Sequence, residues 1–198
     1  MEHRIKLPEP QLELDFPLMK ALEKRRSVRK WEARPIAEQE LSNLLWAACG
    51  ITKKQAGKVK SKRTAPSACN SQEIRVYVLL EKGVFLYCEG NHELIEISAA
   101  DIREHAGTQK MMKSAPAGLV FVADLARMTS PFLRSMEAKR FSGWVDTGYI
   151  SQNVYLYCAA ANLATVVLSL VDRDKLHGLM NLQEHEKIVL TQVVGYRE

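Results

Sequence analysis

The chain is predicted to be an α+β domain, a mostly antiparallel sheet packed by helices, on three observations. Apolar residues recur at helical spacing in two segments near the start, around 17–27 and 35–50. Short alternating or β-branched runs follow at 73–88 and 118–123. A longer apolar helical pattern at 148–164 precedes one more capped helix and a closing strand at 187–194.

The first helix is expected where Asp15 caps an early turn that tolerates Pro17, with Leu18, Met19 and Leu22 as its apolar stripe, running into Lys24-Arg25-Arg26-Ser27. The second begins near Pro35 and carries Leu41, Leu44, Leu45 and Ala48 on one face until Gly50 stops it. A basic loop follows, in which Lys53, Lys54, Lys58, Lys60, Lys62 and Arg63 occur with no acidic residue among them. Such a run is a solvated loop or a surface that attracts phosphate or nucleic acid.

Ile74, Val76, Val78 and Leu80 alternate with Glu73, Arg75 and Tyr77, which is strand periodicity, and Glu81-Lys82-Gly83 turns this strand into a second one over Val84–Cys88. Ser98-Ala-Ala-Asp has capping-box geometry for a short helix through Ile102. Gly118–Ala123 is a buried strand. From Gly148 to Ala164 both faces of the helical pattern are apolar, so this helix is expected to be covered on most sides, by a core or by a partner subunit. Asp172 caps a last helix, and Lys187–Val194 supplies the final strand. With no repeat, linker or low-complexity tract, residues 1–198 form one domain.

Composition narrows the function classes. The chain is 46% hydrophobic and 26% charged, an ordinary globular balance that excludes a disordered or collagenous protein. No apolar run reaches the roughly 20 residues of a membrane span, and the N-terminus lacks the apolar core of a signal peptide, so a cytoplasmic location without membrane contact is expected. Cys49, Cys69, Cys88 and Cys158 show no disulfide or C-x-x-C spacing and read as idle thiols. His92, His105, His177 and His185 have no second histidine or cysteine at metal-ligand spacing, so no metal is expected. Trp31, Trp46 and Trp144 read as core or subunit contacts.

Two segments carry chemistry. Arg25-Arg26-Ser27-Val28-Arg29 places three guanidinium groups and a hydroxyl at a helix end, suited either to a phosphate or simply to solvent. Arg63-Thr-Ala-Pro-Ser-Ala-Cys-Asn-Ser-Gln72, dense in hydroxyls and carboxamides, enters the first strand of the hairpin and can hydrogen-bond a polar ligand without adding charge.

Together, in this order and spacing, R-R-S-x-R and A-P-S-x-x-N-x-Q resemble the nitroreductase family. The segment Pro35–Ile51 resembles its azoline-dehydrogenase (SagB-type) branch, Gly148–Val167 the family's long core helix and the turn after it, and Val171–Leu176 and Val193–Tyr196 its closing segments. The resemblance implies an intertwined homodimer with one FMN at each of two sites built by both subunits. Carried over by position, Arg25, Ser27 and Arg29 hold the phosphate and ribityl chain, and Arg26 supports the charge. Pro66, Ser67, Asn70 and Gln72 line the ribityl and ring edge, with Cys69 a small packing residue among them. A turn formed by Val166, Val167, Leu168 and Ser169 lies against the ring, with the N–H of Leu168 or Ser169 near the flavin N5. Arg197 substitutes for the basic tail of many relatives, and the short stretch from Asp124 to Asp146 implies an open site or a small lid.

The implied activity is ping-pong transfer of electrons from NADH or NADPH through FMN to a nitroaromatic, a quinone or a similar small acceptor, with no catalytic side chain assigned. The alternative is a flavin-dependent dehydrogenase of the azoline-oxidising type. A non-enzymatic flavin binder or a nucleic-acid binder using the Lys53–Arg63 run is a further reading, but no aromatic-interleaved motif accompanies those charges, and nucleic acid is not expected as a partner.

Overall fold

The computed structural model describes residues 3–57, 59–109, 112 and 114–198. A seven-stranded sheet organises the chain in the order β1-β6-β5-β4-β7-β9-β8, with every pairing antiparallel. The strands are β1 (Arg4–Lys6), β4 (Ile74–Leu80), β5 (Gly83–Cys88), β6 (Glu93–Ser98), β7 (Ala117–Asp124), β8 (Leu163–Leu168) and β9 (Glu186–Tyr196). The basic stretch is not a plain loop: β2 (Ile51–Lys53) and β3 (Lys62–Arg63) pair as a small separate hairpin. Lys58 lies outside the described residues.

Both faces of the sheet are covered, which explains why its central strands read as nearly continuous apolar runs. On one face, α2 (Glu38–Cys49) and α3 (Met136–Ala160) pack Leu44, Leu45, Ile150 and Val154 onto Val76, Val78 and Phe121. On the other, Trp31, Leu176 and Met180 meet Leu79, Val120, Val122 and Val166. Val76 and Val78 face one core while Tyr77 and Leu79 face the other, the period of two that a pleated strand imposes. The β4–β5 turn closes on Gly83 at φ 138, where an added Cβ would come within 2.3 Å of the Ser98 carbonyl oxygen.

Several boundaries differ from the sequence expectation. Helix α1 (Leu18–Lys24) starts after Pro17 with no side-chain cap, so Asp15 does not cap it. Ser98 ends β6, and its hydroxyl accepts the Ala100 N–H at 3.2 Å, leaving only a 3-10 turn at Arg103–His105 where a helix through Ile102 was expected. The core helix begins well before Gly148: Ser135 caps it by accepting the Ala138 N–H at 3.0 Å, so the second half of the expected lid region is its first turns. It ends at Ala160, after which Asn162, at φ 56, turns the chain into β8. The Asp172 cap is as expected, accepting the Lys175 N–H of α4 (Arg173–Leu179) at 3.1 Å.

Only one side of α3 is buried in the single chain. Gly143, Thr147, Ile150, Val154 and Cys158 face the sheet at helical spacing. On the outer side Phe141 is 66% and Trp144 58% exposed, with Val145 and Tyr149 beside them. Among the described residues, no helix is long and apolar enough to cross a membrane.

Candidate active site

Strand β8 is the last in the sheet, so alternate backbone groups along its outer edge have no strand partner. The chain leaving α1 covers part of this edge, where the Val28 N–H donates to the Thr165 carbonyl at 2.9 Å. Four residues on, the Glu32 N–H donates to the Tyr196 carbonyl at the end of the neighbouring β9, at 3.0 Å. The next outward group, the Val167 N–H, donates to the Tyr155 hydroxyl at 3.0 Å, and that hydroxyl lies 2.9 Å from the Ser27 Oγ. One phenol therefore joins the arginine segment, the core helix and the edge strand.

The three arginines have different surroundings. The Arg25 guanidinium sits 5.3 Å from the centroid of the Tyr155 ring. Among the described residues, the Arg25 and Arg29 side chains form no hydrogen bond or ion pair, so their donors remain available to a ligand. Arg26 instead donates to the Glu23 and Arg25 carbonyls at 2.7 and 2.8 Å, neutralising the carbonyl end of α1. It also lines, with Lys24, Phe16, Asn162 and Arg197, a cavity of about 430 Å³.

Residues Val166, Val167 and Leu168 belong to β8 and not to a turn. Leu168 is buried against the second core, Val167 is half-buried, and Ser169, just past the strand, is exposed. Because the Thr165 carbonyl and the Val167 N–H face outward, antiparallel alternation turns the Leu168 N–H toward β9. The Ser169 N–H is then the first donor beyond the covered edge.

The Pro66–Gln72 segment is held by its own hydrogen bonds. The Ser67 hydroxyl accepts the Gln72 N–H at 2.9 Å, and the Asn70 and Gln72 carboxamides both donate to the Ser61 carbonyl, at 3.0 and 2.6 Å. These bonds hold Cys69, Asn70 and Gln72 in the left-handed region, at φ 52, 51 and 53. Asn tolerates that region; for Cys and Gln it costs roughly 1 to 2 kcal/mol each. The segment is fixed to α3 by the Ala68 N–H, which donates to Asp146 at 2.8 Å. Asp146 and Tyr155 are nine residues apart on α3, about 13 Å along its axis. Within one chain, the two motif segments are thus anchored at separate levels of the same helix.

Behind this loop lies a group of buried charges that the sequence reading passed over. Glu73 is fully buried beside Asp146, which is itself 4% exposed. Desolvation, reinforced by Asp146, pushes the Glu73 carboxyl up to about 7, while Arg63 opposes the shift. Arg63 is no part of a solvated basic run: its side chain is 3% exposed, donates to the Ile74 carbonyl at 3.0 Å and pairs with Glu89. The Arg63 Nε and both Glu73 carboxyl oxygens are buried without a hydrogen-bond partner.

The other singled-out residues have structural roles. His92 lies 2.7 Å from the Ser42 hydroxyl and 2.8 Å from that of Tyr87, tying the N-terminal segment to the sheet. Trp31 is buried and donates to the Ser114 carbonyl at 3.0 Å. Tyr155, Asp146 and Glu73 were not anticipated as site residues. The available signal was chemical: a tyrosine on the inward stripe of a buried helix needs a partner for its hydroxyl, and an acid there needs a donor.

Comparison with known proteins identifies the family and the fold. The model of the nitroreductase family matches residues 22–196. A Methanocaldococcus jannaschii protein with a provisional nitroreductase name is 27% identical, the match covering 91% of this chain and 92% of that protein. A crystal structure from Ralstonia eutropha JMP134, also provisionally named a nitroreductase, is 36% identical and superposes with a TM-score of 0.89 over 98% of this chain and 90% of its own. The NADPH:FMN oxidoreductase of Vibrio harveyi, solved with NAD+, shares the fold at 19% identity and a TM-score of 0.67, covering 91% of this chain and 69% of the other.

Proposed function

Since the chain belongs to the nitroreductase family of oxidoreductases, we propose that it is a homodimeric FMN enzyme that passes electrons from NADH or NADPH to a small acceptor such as a nitroaromatic or a quinone. The observation that carries this reading is the pair of arginines, Arg25 and Arg29, on either side of Ser27 in the sequence of a segment docked at a sheet edge, whose side chains form no hydrogen bond or ion pair among the described residues. Unpaired arginines around a fixed hydroxyl fit a phosphate. The open Ser169 N–H is positioned to meet a polar ring edge, and the Ser67–Gln72 loop presents neutral donors and acceptors.

When bound, FMN supplies the two-electron chemistry, in ping-pong exchange between reductant and acceptor. The protein's own part is to bind and orient it. Arg25 and Arg29 neutralise the phosphate, Ser27 sets its position, and the main chain after Leu168 offers a donor without needing a particular side chain. The exposed apolar face of α3, from Phe141 to Tyr149, is the surface a second subunit covers. Dimerisation also explains how two motif segments anchored at different levels of α3 serve one ligand, each site drawing on both chains.

Purified protein is expected to be yellow, with about one releasable FMN per chain, and to lose its colour when NADH or NADPH is added without oxygen. Colourless protein that takes up no added FMN overturns the proposal. Flavin that is bound but untouched by either nicotinamide points to the dehydrogenase direction instead. Sedimentation of a stable folded monomer at micromolar concentration removes the dimer.

A further inference from the structure

We infer that Tyr155 is a positioning residue, a strut that holds the phosphate-binding segment at a fixed distance from the end of β8 and leaves the Ser169 N–H as the next outward donor beyond Val167. The inference rests on the flavin reading above and assigns a role to a residue outside both sequence motifs.

The geometry has three parts. Tyr155 is 7% exposed on the inward side of α3, so its ring cannot change place without disturbing the core. Its hydroxyl has two partners in opposite directions, the Ser27 Oγ at 2.9 Å and the Val167 N–H at 3.0 Å. As acceptor from Val167 it is left with its own proton to donate, so the fully satisfied arrangement has Tyr155 donating to Ser27. The Ser27 hydroxyl hydrogen is then free of the Tyr155 oxygen and available to an acceptor outside the protein.

The second consequence lies along the strand. Outward-facing groups on β8 are taken in sequence, Thr165 by Val28 and Val167 by Tyr155, and the coverage stops there. Without the phenol oxygen, the Val167 N–H becomes an additional unpaired donor two residues before Ser169, close to where a ring acceptor would bind. The Arg25 guanidinium over the Tyr155 ring links both ends of this arrangement, since the ring that fixes Ser27 also supports the arginine beside it.

The test uses the purified dimer stripped of flavin and titrated with FMN, comparing wild type with Tyr155→Phe, which keeps the ring and removes only the bridge. Wild type is expected to bind, and Tyr155→Phe to bind about tenfold more weakly, the scale of one lost buried hydrogen bond. The midpoint potential of the bound flavin is expected to shift as well, because a new donor appears near the ring; a purely structural loss of packing would not move it. Ser27→Ala, which removes the hydroxyl but leaves the Val28 bond to Thr165 and the Tyr155 bond to the Val167 N–H in place, is expected to weaken FMN binding without that shift in potential. In the double variant the affinity losses should be less than additive, since both changes break the same link. Wild-type uptake of FMN with unchanged affinity and potential in Tyr155→Phe overturns the role of Tyr155 alone. A wild-type apoprotein that takes up no FMN overturns the flavin reading and this role with it.

Discussion

The Arg25–Arg29 segment and the Ser61–Glu73 loop are about equally polar in sequence, yet the fold treats them oppositely. The first is docked through its backbone and one hydroxyl, and the side chains of Arg25 and Arg29 form no hydrogen bond or ion pair among the described residues. The second is turned inward: Ser61, Ser67, Asn70 and Gln72 satisfy one another, and three of its residues are held in left-handed conformations. A charged group with no protein partner contributes to binding and little to folding, whereas a self-bonded loop contributes to folding and presents a fixed shape. Substitutions in the two regions should therefore separate binding from stability.

The largest expected effect is on binding. Arg25→Ala or Arg29→Ala is expected to weaken FMN by roughly tenfold to over a hundredfold, the 1.5 to 3 kcal/mol of a charge-assisted contact, with the melting temperature of the apoprotein nearly unchanged. A flavin titration alongside apoprotein melting checks both halves; wild-type affinity in both variants would move the phosphate elsewhere.

Next comes a pH dependence that belongs to the loop region. In the unfolded chain Glu73 loses its proton near 4.5, whereas in the fold it keeps it up to about 7. Between those values the folded state binds more protons than the unfolded one, so stability falls as pH rises. This contribution is complete below about 4.5 and gone above about 7, and for Glu73 it is on the order of 3 kcal/mol. Urea denaturation across that window should show the slope, and Glu73→Gln should flatten it. An equally steep slope in the variant would assign it to other groups.

Smaller still is the strain at Cys69, an exposed side chain at φ 52. Cys69→Val, β-branched in a left-handed position, should destabilise the protein by about 1 to 2 kcal/mol, while Cys69→Gly should be neutral or stabilising. Equal melting temperatures for the two would show that the loop relaxes freely. The smallest effect is expected at Lys60, exposed on the basic hairpin, where Lys60→Ala should change FMN affinity by well under about 1 kcal/mol at physiological salt.

How far the molecule was legible in its sequence follows from the same physics. The β4–β5 hairpin and β7 were readable because period-two patterns and Gly83 admit one solution. The start of α3 was not, because Phe141, Trp144 and Tyr149 on its outer face blur the stripe that Gly143, Thr147 and Ile150 form on the inner one. Strand β8 was divided between the end of the expected helix and the turn expected after it, since Leu163–Leu168 is mostly apolar without alternation, both its faces being lined by core. Asn162 was the sign of a break, an asparagine suited to the left-handed turn that ends a helix. For the site, the motifs indicated which residue types converge, but not that Arg26 turns back onto α1, nor that Tyr155 and Asp146 anchor the two segments. Those depend on which way side chains leave a helix whose beginning had been misplaced.

The docking of residues 27–28 on β8 has a consequence beyond ligand binding. Leu-Ala-Thr-Val-Val-Leu is an uncharged, β-branched strand at the margin of a sheet, the kind of sequence that templates pairing between molecules. Val28 and Tyr155 each cover one group of its outer edge, so the segment proposed to hold the ligand would also act as a gatekeeper against aggregation. Any change that loosens this segment exposes a sticky edge, and solubility in the flavin-free state becomes a sensitive readout of how well it is docked.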